Sequence, residues 1–259
     1  NDAGTEYTFY LRKGATFHDG EALDADDVVF TFNTSLNPEA SPRGPSQLAL
    51  IKGAEAYSAS NGKGETGVVK VDDYTVKFIQ EFPNALFLEK CCNGTPIIMP
   101  EHVLGGLAPS DIATYPWSSK FIGSGPFQID VPFVADRGWT MKANPDYYMG
   151  EPRLDKISFE FIETRDATFI AMQRGEIHGS SYPTLTAEMY QAFINDPRFN
   201  VVGIQGTIMR SFMFNNTFEP TQDVRVRHAF LMAMDRQALI DAYWQGNGVI
   251  INTPFQNPL

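Results

Sequence analysis

The sequence predicts an α/β fold, and three observations carry that prediction. Tyr7, Phe9 and Leu11 alternate with Thr8, Tyr10 and Arg12, the period of two of a half-buried strand. Asp24 follows as a helix N-cap, with Asp26 and Asp27 in the first turn, where the positive end of the helix dipole favours carboxylates. Residues 68–71 and 74–79 then read as a hairpin, the turn falling at Asp72-Asp73 between β-branched flanks. With 259 residues, the chain can bury one large core or two modest ones.

Taken in order, the opening strand leads through turns at Lys13-Gly14 and Asp19-Gly20 to the capped helix. There Val28, Val29, Phe32 and Leu36 keep helical spacing. A turn-rich stretch, 37–45, contains Ser41-Pro42-Arg43-Gly44-Pro45. Leu48, Leu50, Ile51, Ala54 and Tyr57 then predict a second helix. After the hairpin, Asn84 caps a short apolar helix through Leu86, Phe87 and Leu88. A strand pair follows Gly123-Ser124-Gly125-Pro126-Phe127, and Ile157, Phe159 and Phe161 predict a further strand. Helices are expected around 167–174 and over 184–194, and a strand over 200–204. Asp223 heads one long helix carrying Val226, Phe230, Ala233, Met234, Leu239 and Tyr243, ended by Gly246 and Gly248.

Composition narrows the function classes. Apolar content of 43% and charged content of 20% describe an ordinary globular chain. A net charge of −11 argues against nucleic acid and against docking on an anionic membrane surface. No run of about 18 apolar residues is present to span a bilayer. The two cysteines are neighbours, Cys91-Cys92. They read as packed thiols beside a helix end, with a strained vicinal disulfide as the alternative. His18, His102, His178 and His228 lack metal-ligand spacing, so no metal and no cofactor is expected. Ser60-Asn61-Gly62-Lys63 fits S-x-x-K only formally, in a Gly-flanked loop without its partner motifs. Glu160 and Glu163 are expected on a solvated strand face. No G-x-S-x-G elbow or phosphate cradle occurs, and nothing supports an enzyme.

Several fixed-spacing elements point to a family. L-R-K-G-x-x-F-H-D-G-E-x-L-x-A-D-D-V-V-F over 11–30 resembles the signature of family 5 extracellular solute-binding proteins, the peptide, nickel and related receptors of bacterial ABC importers. Ile98-Met99-Pro100-Glu101-His102 resembles the family's I-x-P-x-H element, and Gly123 to Phe127 its G-T-G-P-F element. Asn144 to Pro152 is similar to N-x-x-Y-W-x-G-x-P, with Tyr148 in place of Trp. Gly175-Glu176-Ile177-His178 resembles G-E-I-D, departing at His178. Phe214-Asn215 and Asp223 to Ala229 resemble F-N and D-x-R-V-R-x-A.

This resemblance implies a two-lobed fold of periplasmic-binding-protein type II. Residues 1–203 would be most of lobe one, and 204–259 the crossover and start of lobe two. The chain would then be about half of such a receptor, processed or truncated. The implied function is capture of a small solute between the lobes, a di- or oligopeptide first, and delivery to the permease subunits of an ABC transporter. Nickel chelates, opines or oligosaccharides are alternatives, as is the ligand-sensing domain of a transcription regulator. The implied protein is a periplasmic or extracellular monomer, associated with the membrane only through the permease or a lipid anchor. Its expected ligand contacts are Arg43, in the loop after the first helix, Ser181-Tyr182, and Thr207, Met209, Arg210 and Phe212. An Arg flanked by Met and Phe suits an amphipathic ligand carrying a carboxylate, the alternative being that Arg210 pairs with one of the chain's own acids.

Overall fold

A computed structural model describes residues 3–44, 48–92, 97–180, 186–201, 210–244, 246 and 248–252. The chain forms two compact units, Asn1–Phe161 and Ile162–Leu259.

The first unit opens with the expected strand, β1 (Glu6–Tyr10), and helix α1 (Ala25–Leu36). Between them the chain makes a hairpin-like loop, closed by pairing of Thr16 with Ala22, and Phe17 next to that pair is buried. Asp24 caps α1 by accepting from the Asp26 amide, and the Asp27 carboxylate accepts from the Asp24 amide in return. Two donors that a helix start would otherwise leave unpaired are thereby satisfied.

Strands β2 (Val68–Asp72) and β3 (Thr75–Ile79) make the expected hairpin, with Asp73-Tyr74 as its turn and an irregularity between Lys70 and Asp72. β3 is central and antiparallel to both neighbours, in the order β1-β3-β2. The register sets Tyr7 and Val68 on either side of Phe78, and Phe9 beside Val76. Because side chains on a strand alternate, that row faces one way. It meets Phe32 of α1 (rings 4.6 Å from Phe78) and Phe87 (5.3 Å). With Val28, Leu36, Leu48, Ile51 and Ala54 these residues form the main core. Each fully buried Phe or Leu contributes about 1.5–3 kcal/mol.

The second helix is shorter than its sequence pattern predicts. Only α2 (Ala54–Ala59) forms, because Lys52 is drawn into the sheet. Its amide donates to the Ile79 carbonyl and its carbonyl accepts from Gly67, while Gly53, at φ +73°, turns the chain out of the ladder. Tertiary pairing overrides helical periodicity here. Helix α3 (Phe87–Cys92) follows a turn at Asn84, and Cys91 packs half-buried against the core. The Cys92 side chain, and with it the state of the Cys91-Cys92 pair, lies outside the described residues.

Short helices α4 (Glu101–Leu104), α5 (Pro109–Ala113) and α6 (Trp117–Lys120) lead to a second antiparallel sheet. It comprises β4 (Phe127–Val134), β5 (Gly138–Ala143) and β6 (Lys156–Phe159), in that order. Trp139 stacks on Phe159 at 4.4 Å. On the opposite face Lys156 pairs with Asp130 at 2.7 Å. Glu160 and Glu163, expected on a strand, lie past the end of β6 in irregular chain and are exposed.

In the second unit α7 (Arg165–Arg174) runs from a Thr164 cap to Gly175, at φ +74°. Helix α8 (Ala187–Ile194) starts from Thr186, and Phe193 packs between Phe169 and Phe199. The strand expected over 200–204 is absent at Asn200 and Val201, and the remainder lies outside the described residues. After α9 (Glu219–Gln222), the expected single long helix is two: α10 (Val224–Ala233) and α11 (Arg236–Trp244). Met234 is extended (φ −91°, ψ 118°), and Asp235 restarts the helix by accepting from the Ala238 amide at 2.9 Å. An Asp whose side chain bonds to nearby amides competes with helix continuation, which apolar spacing alone does not reveal.

Candidate functional site

Residues 210–214 follow no regular secondary structure, and their C-terminal end is firmly rooted. The Asn215 side chain accepts from the Thr217 amide (3.0 Å) and hydroxyl (2.7 Å). Phe214 turns inward onto Phe230, with ring centres 5.7 Å apart. Beyond this root the side chains are open: Phe212 is 69% and Met213 92% exposed. Arg210 is exposed as well and makes no ion pair among the described residues. A cation beside two open apolar side chains can take a ligand with a carboxylate and an apolar group, the cation fixing orientation and the apolar surface supplying area. Thr207 and Met209, expected beside Arg210, lie outside the described residues, as do Ser181 and Tyr182.

Arg43 belongs to the first unit. It is exposed in a turn pinned to the end of α1, where the Asn37 carbonyl accepts from the Ala40 and Ser41 amides. Gly44 next to it approaches the Ser35 carbonyl so closely that no Cβ would fit. Of the expected contacts that are described, Arg43 thus falls in the first unit and Arg210 and Phe212 in the second.

The convergence that sequence reading missed is around His18. Its amide donates to the Gly123 carbonyl (2.8 Å), and its Nδ1 accepts from the Gly123 amide (3.2 Å). Nε2 lies 3.0 Å from the Gly125 carbonyl. Since an N–H points at Nδ1, the proton of the neutral ring is on Nε2, which donates to Gly125. Asn144, itself buried, donates to that same carbonyl at 3.1 Å. Burial pushes the His18 pKa below its ordinary 6.5, against the opposing pull of Gly125 and Asp19.

Next to it the Asp19 carboxylate takes a 2.7 Å hydrogen bond from His102 Nε2. Partial burial works to raise the Asp19 pKa, but the bonds from His102 and the Glu21 amide outweigh it and hold the group below the usual carboxylate range. A cavity of about 460 Å³ lies alongside, bounded by His18, Asp19, Tyr115, Lys120, Gln128 and Asp130. Four family elements therefore meet in space: F-H-D-G, I-x-P-x-H, G-x-G-P-F and the Asn of N-x-x-Y. His18 is more than a hundred residues from Gly123, Gly125 and Asn144, which leaves no periodic signal, and only the co-occurrence of the elements could have drawn attention to them. Among the described residues, no three His, Cys, Asp or Glu side chains could hold a metal ion, and no helix is long and apolar enough to cross a membrane.

Comparison with known proteins extends this picture. Residues 1–259 match the model of the bacterial extracellular solute-binding proteins, family 5. The oligopeptide-binding protein AppA of Bacillus subtilis is 28% identical over 262 residues, covering 100% of this chain and 44% of its own length. The dipeptide-binding protein of Escherichia coli is 29% identical over 263 residues, covering 96% and 46%. The chain thus spans a little under half the length of these relatives. Among solved structures, AppA of B. subtilis in complex with a nonapeptide matches with a TM-score of 0.75 at 27% identity, over 98% of this chain and 47% of that one. NikZ of Campylobacter jejuni in complex with Ni(L-His) matches with a TM-score of 0.79 at 22% identity, over 98% and 47%, a likeness of fold. The α/β fold of periplasmic-binding-protein type II expected from sequence agrees with these likenesses.

Proposed function

The chain belongs to the family 5 bacterial extracellular solute-binding proteins, and we propose that it is part of the substrate-binding component of an ABC importer for a di- or oligopeptide. The observation that carries this reading is the family match over the whole chain, together with relatives named for oligopeptide and dipeptide binding. Open apolar side chains beside Arg210 favour it, since a peptide offers both side chains and a terminal carboxylate.

In this reading residues 1–203 serve lobe one and 204–259 begin lobe two, and solute is held between the lobes. Arg210 would pair with the ligand carboxylate and Phe212 and Met209 would cover its apolar part. Arg43, Ser181, Tyr182 and Thr207 would border the same cleft. Hinge closure around the solute would present a loaded monomer to the permease, outside the cytoplasmic membrane. No step requires bond chemistry; the role is capture and release.

Mass spectrometry of small molecules that co-purify with the full-length protein would identify the ligand, and calorimetry with that compound would test the site. Arg210→Ala is expected to weaken binding by about 1.5–3 kcal/mol, the range for a lost charge-assisted hydrogen bond. Unchanged affinity would remove Arg210 from the site. A co-purifying ligand that is turned over would sink the receptor reading altogether.

A further inference from the structure

The geometry around His18 points to a proton-operated joint: neutral, the ring ties the loop over 13–23 to the segment that starts β4, and once protonated at Nδ1 it releases the Gly123 amide. We infer this from the direction of the hydrogen bonds. Gly123 N–H can donate only to an unprotonated Nδ1, and Gly125 C=O can accept only from a protonated Nε2. The neutral Nε2–H tautomer alone meets both demands. Adding a proton places one N–H against another and leaves the Gly125 contact intact.

Each side of the joint is held separately. On the loop side, Phe17 is buried, its amide bonds to the Glu21 carbonyl and the Gly20 amide bonds back to Phe17. On the sheet side, the Asn144 side chain donates to Gly125 and its amide to Pro126 at 2.8 Å. Protonation therefore frees the Gly123 amide alone, while the His18 amide still donates to the Gly123 carbonyl at 2.8 Å and the Asn144 contacts stay in place, so the response is local. Other ionisable groups near the ring are Asp19 on its own loop, Tyr115 before α6, Lys120 at the end of α6 and Asp130 on β4. His102 is hydrogen-bonded to Asp19 at 2.7 Å. Among the described residues no carboxylate accepts from the His18 ring itself, and burial outweighs the pull of Gly125 and Asp19 towards a second proton.

The sign follows from burial. With its pKa below 6.5, folded His18 binds fewer protons than the unfolded chain in the window between the two values. The bond from the Gly123 amide to the ring is made above about pH 6.5, weakens as pH falls through that window and is lost below the folded value. It needs no ligand and stands apart from the proposed function.

Amide hydrogen exchange on the full-length protein, corrected for intrinsic rates, tests this. Protection at Gly123 is expected to fall by up to about tenfold per pH unit between pH 6.5 and the lower folded value, the limit for uptake of one proton. Protection at Asn144 should stay level. His18→Gln, which cannot titrate, should make Gly123 independent of pH, while His102→Gln should leave the dependence in place. Should His18→Gln fail to fold, two-bond nitrogen–proton correlation spectra of the unsubstituted protein still decide, because the ring must be Nε2–H at neutral pH. A Nδ1–H tautomer, flat protection at Gly123, or a dependence abolished by His102→Gln would each overturn the joint.

Discussion

Asp27 carries two duties in one carboxylate. One oxygen accepts from the Asp24 amide and the other from the Glu101 amide at 2.9 Å, so the start of α1 and the start of α4 share a single anchor. Only 4% of the residue is exposed, and burial, helped by the nearby Asp24, pushes its pKa above the ordinary carboxylate value. A carboxyl raised by folding costs stability once pH exceeds its unfolded value, and the cost is relieved as pH falls through the raised value. Asp24→Ala is expected to lower stability by about 1 kcal/mol, measured by urea unfolding. A loss below a few tenths would mean that Asp27 alone secures the helix start. The cap was legible in the sequence because its residues lie within one turn. The second partner of Asp27 was not, because Glu101 is 74 residues away.

Elements show the same division. β1, the β2–β3 hairpin and α1 were readable because each satisfies its own periodicity and its own turn or cap chemistry. α2 was overestimated, since Ile51 fits a helical pattern but it and Lys52 pair with β3 and its continuation instead. The helix from Asp223 was overestimated for another reason: Asp235 ends one helix and caps the next. At the β4–β5–β6 sheet a glycine decides the outcome. Gly138 has φ +97°, and a Cβ on it would collide with the Phe159 carbonyl across the ladder. Gly138→Ala is therefore expected to destabilise the protein by about 1–3 kcal/mol and to disturb the stack of Trp139 on Phe159, followed by near-ultraviolet circular dichroism. Lys70 offers a contrast. It bridges Asp26 at 2.7 Å and Asp73 at 2.9 Å, yet stands in water, where such pairs are screened and contribute little.

Across the whole molecule, burial is uneven. The first unit contains a continuous core running from Ala25 to Phe87, with Tyr7 and Phe9 packed on it. Among the described residues of the second unit only Thr168, Ala171, Phe193 and Thr221 are buried, and Phe230, Met232 and Tyr243 are largely open. Local stability follows buried apolar contact. Equilibrium hydrogen exchange on this chain is expected to show the slowest amides in β1, β3 and α1 and fast exchange in α10 and α11; equal protection in both units would contradict this distribution. The site is harder to read than the fold at this scale. Arg210 stands out by residue type in an apolar setting and Arg43 only through the family resemblance, but which side chains a ligand meets depends on how distant stretches of chain are brought together. Spacing along one chain does not encode that.

The core of the first unit has a kinetic side as well. All its buried members fall between Ala25 and Phe87, a single unbroken stretch whose loops are short to close. Contacts near in sequence form sooner than distant ones, because less chain entropy is lost in making them. A growing polypeptide releases this stretch before α4 to α11, so its sheet and helix can settle against each other while the later chain is still being made. What serves as the most protected part of the finished molecule is then also its earliest, a foundation laid during synthesis on which the His18 loop waits for Gly123 to arrive.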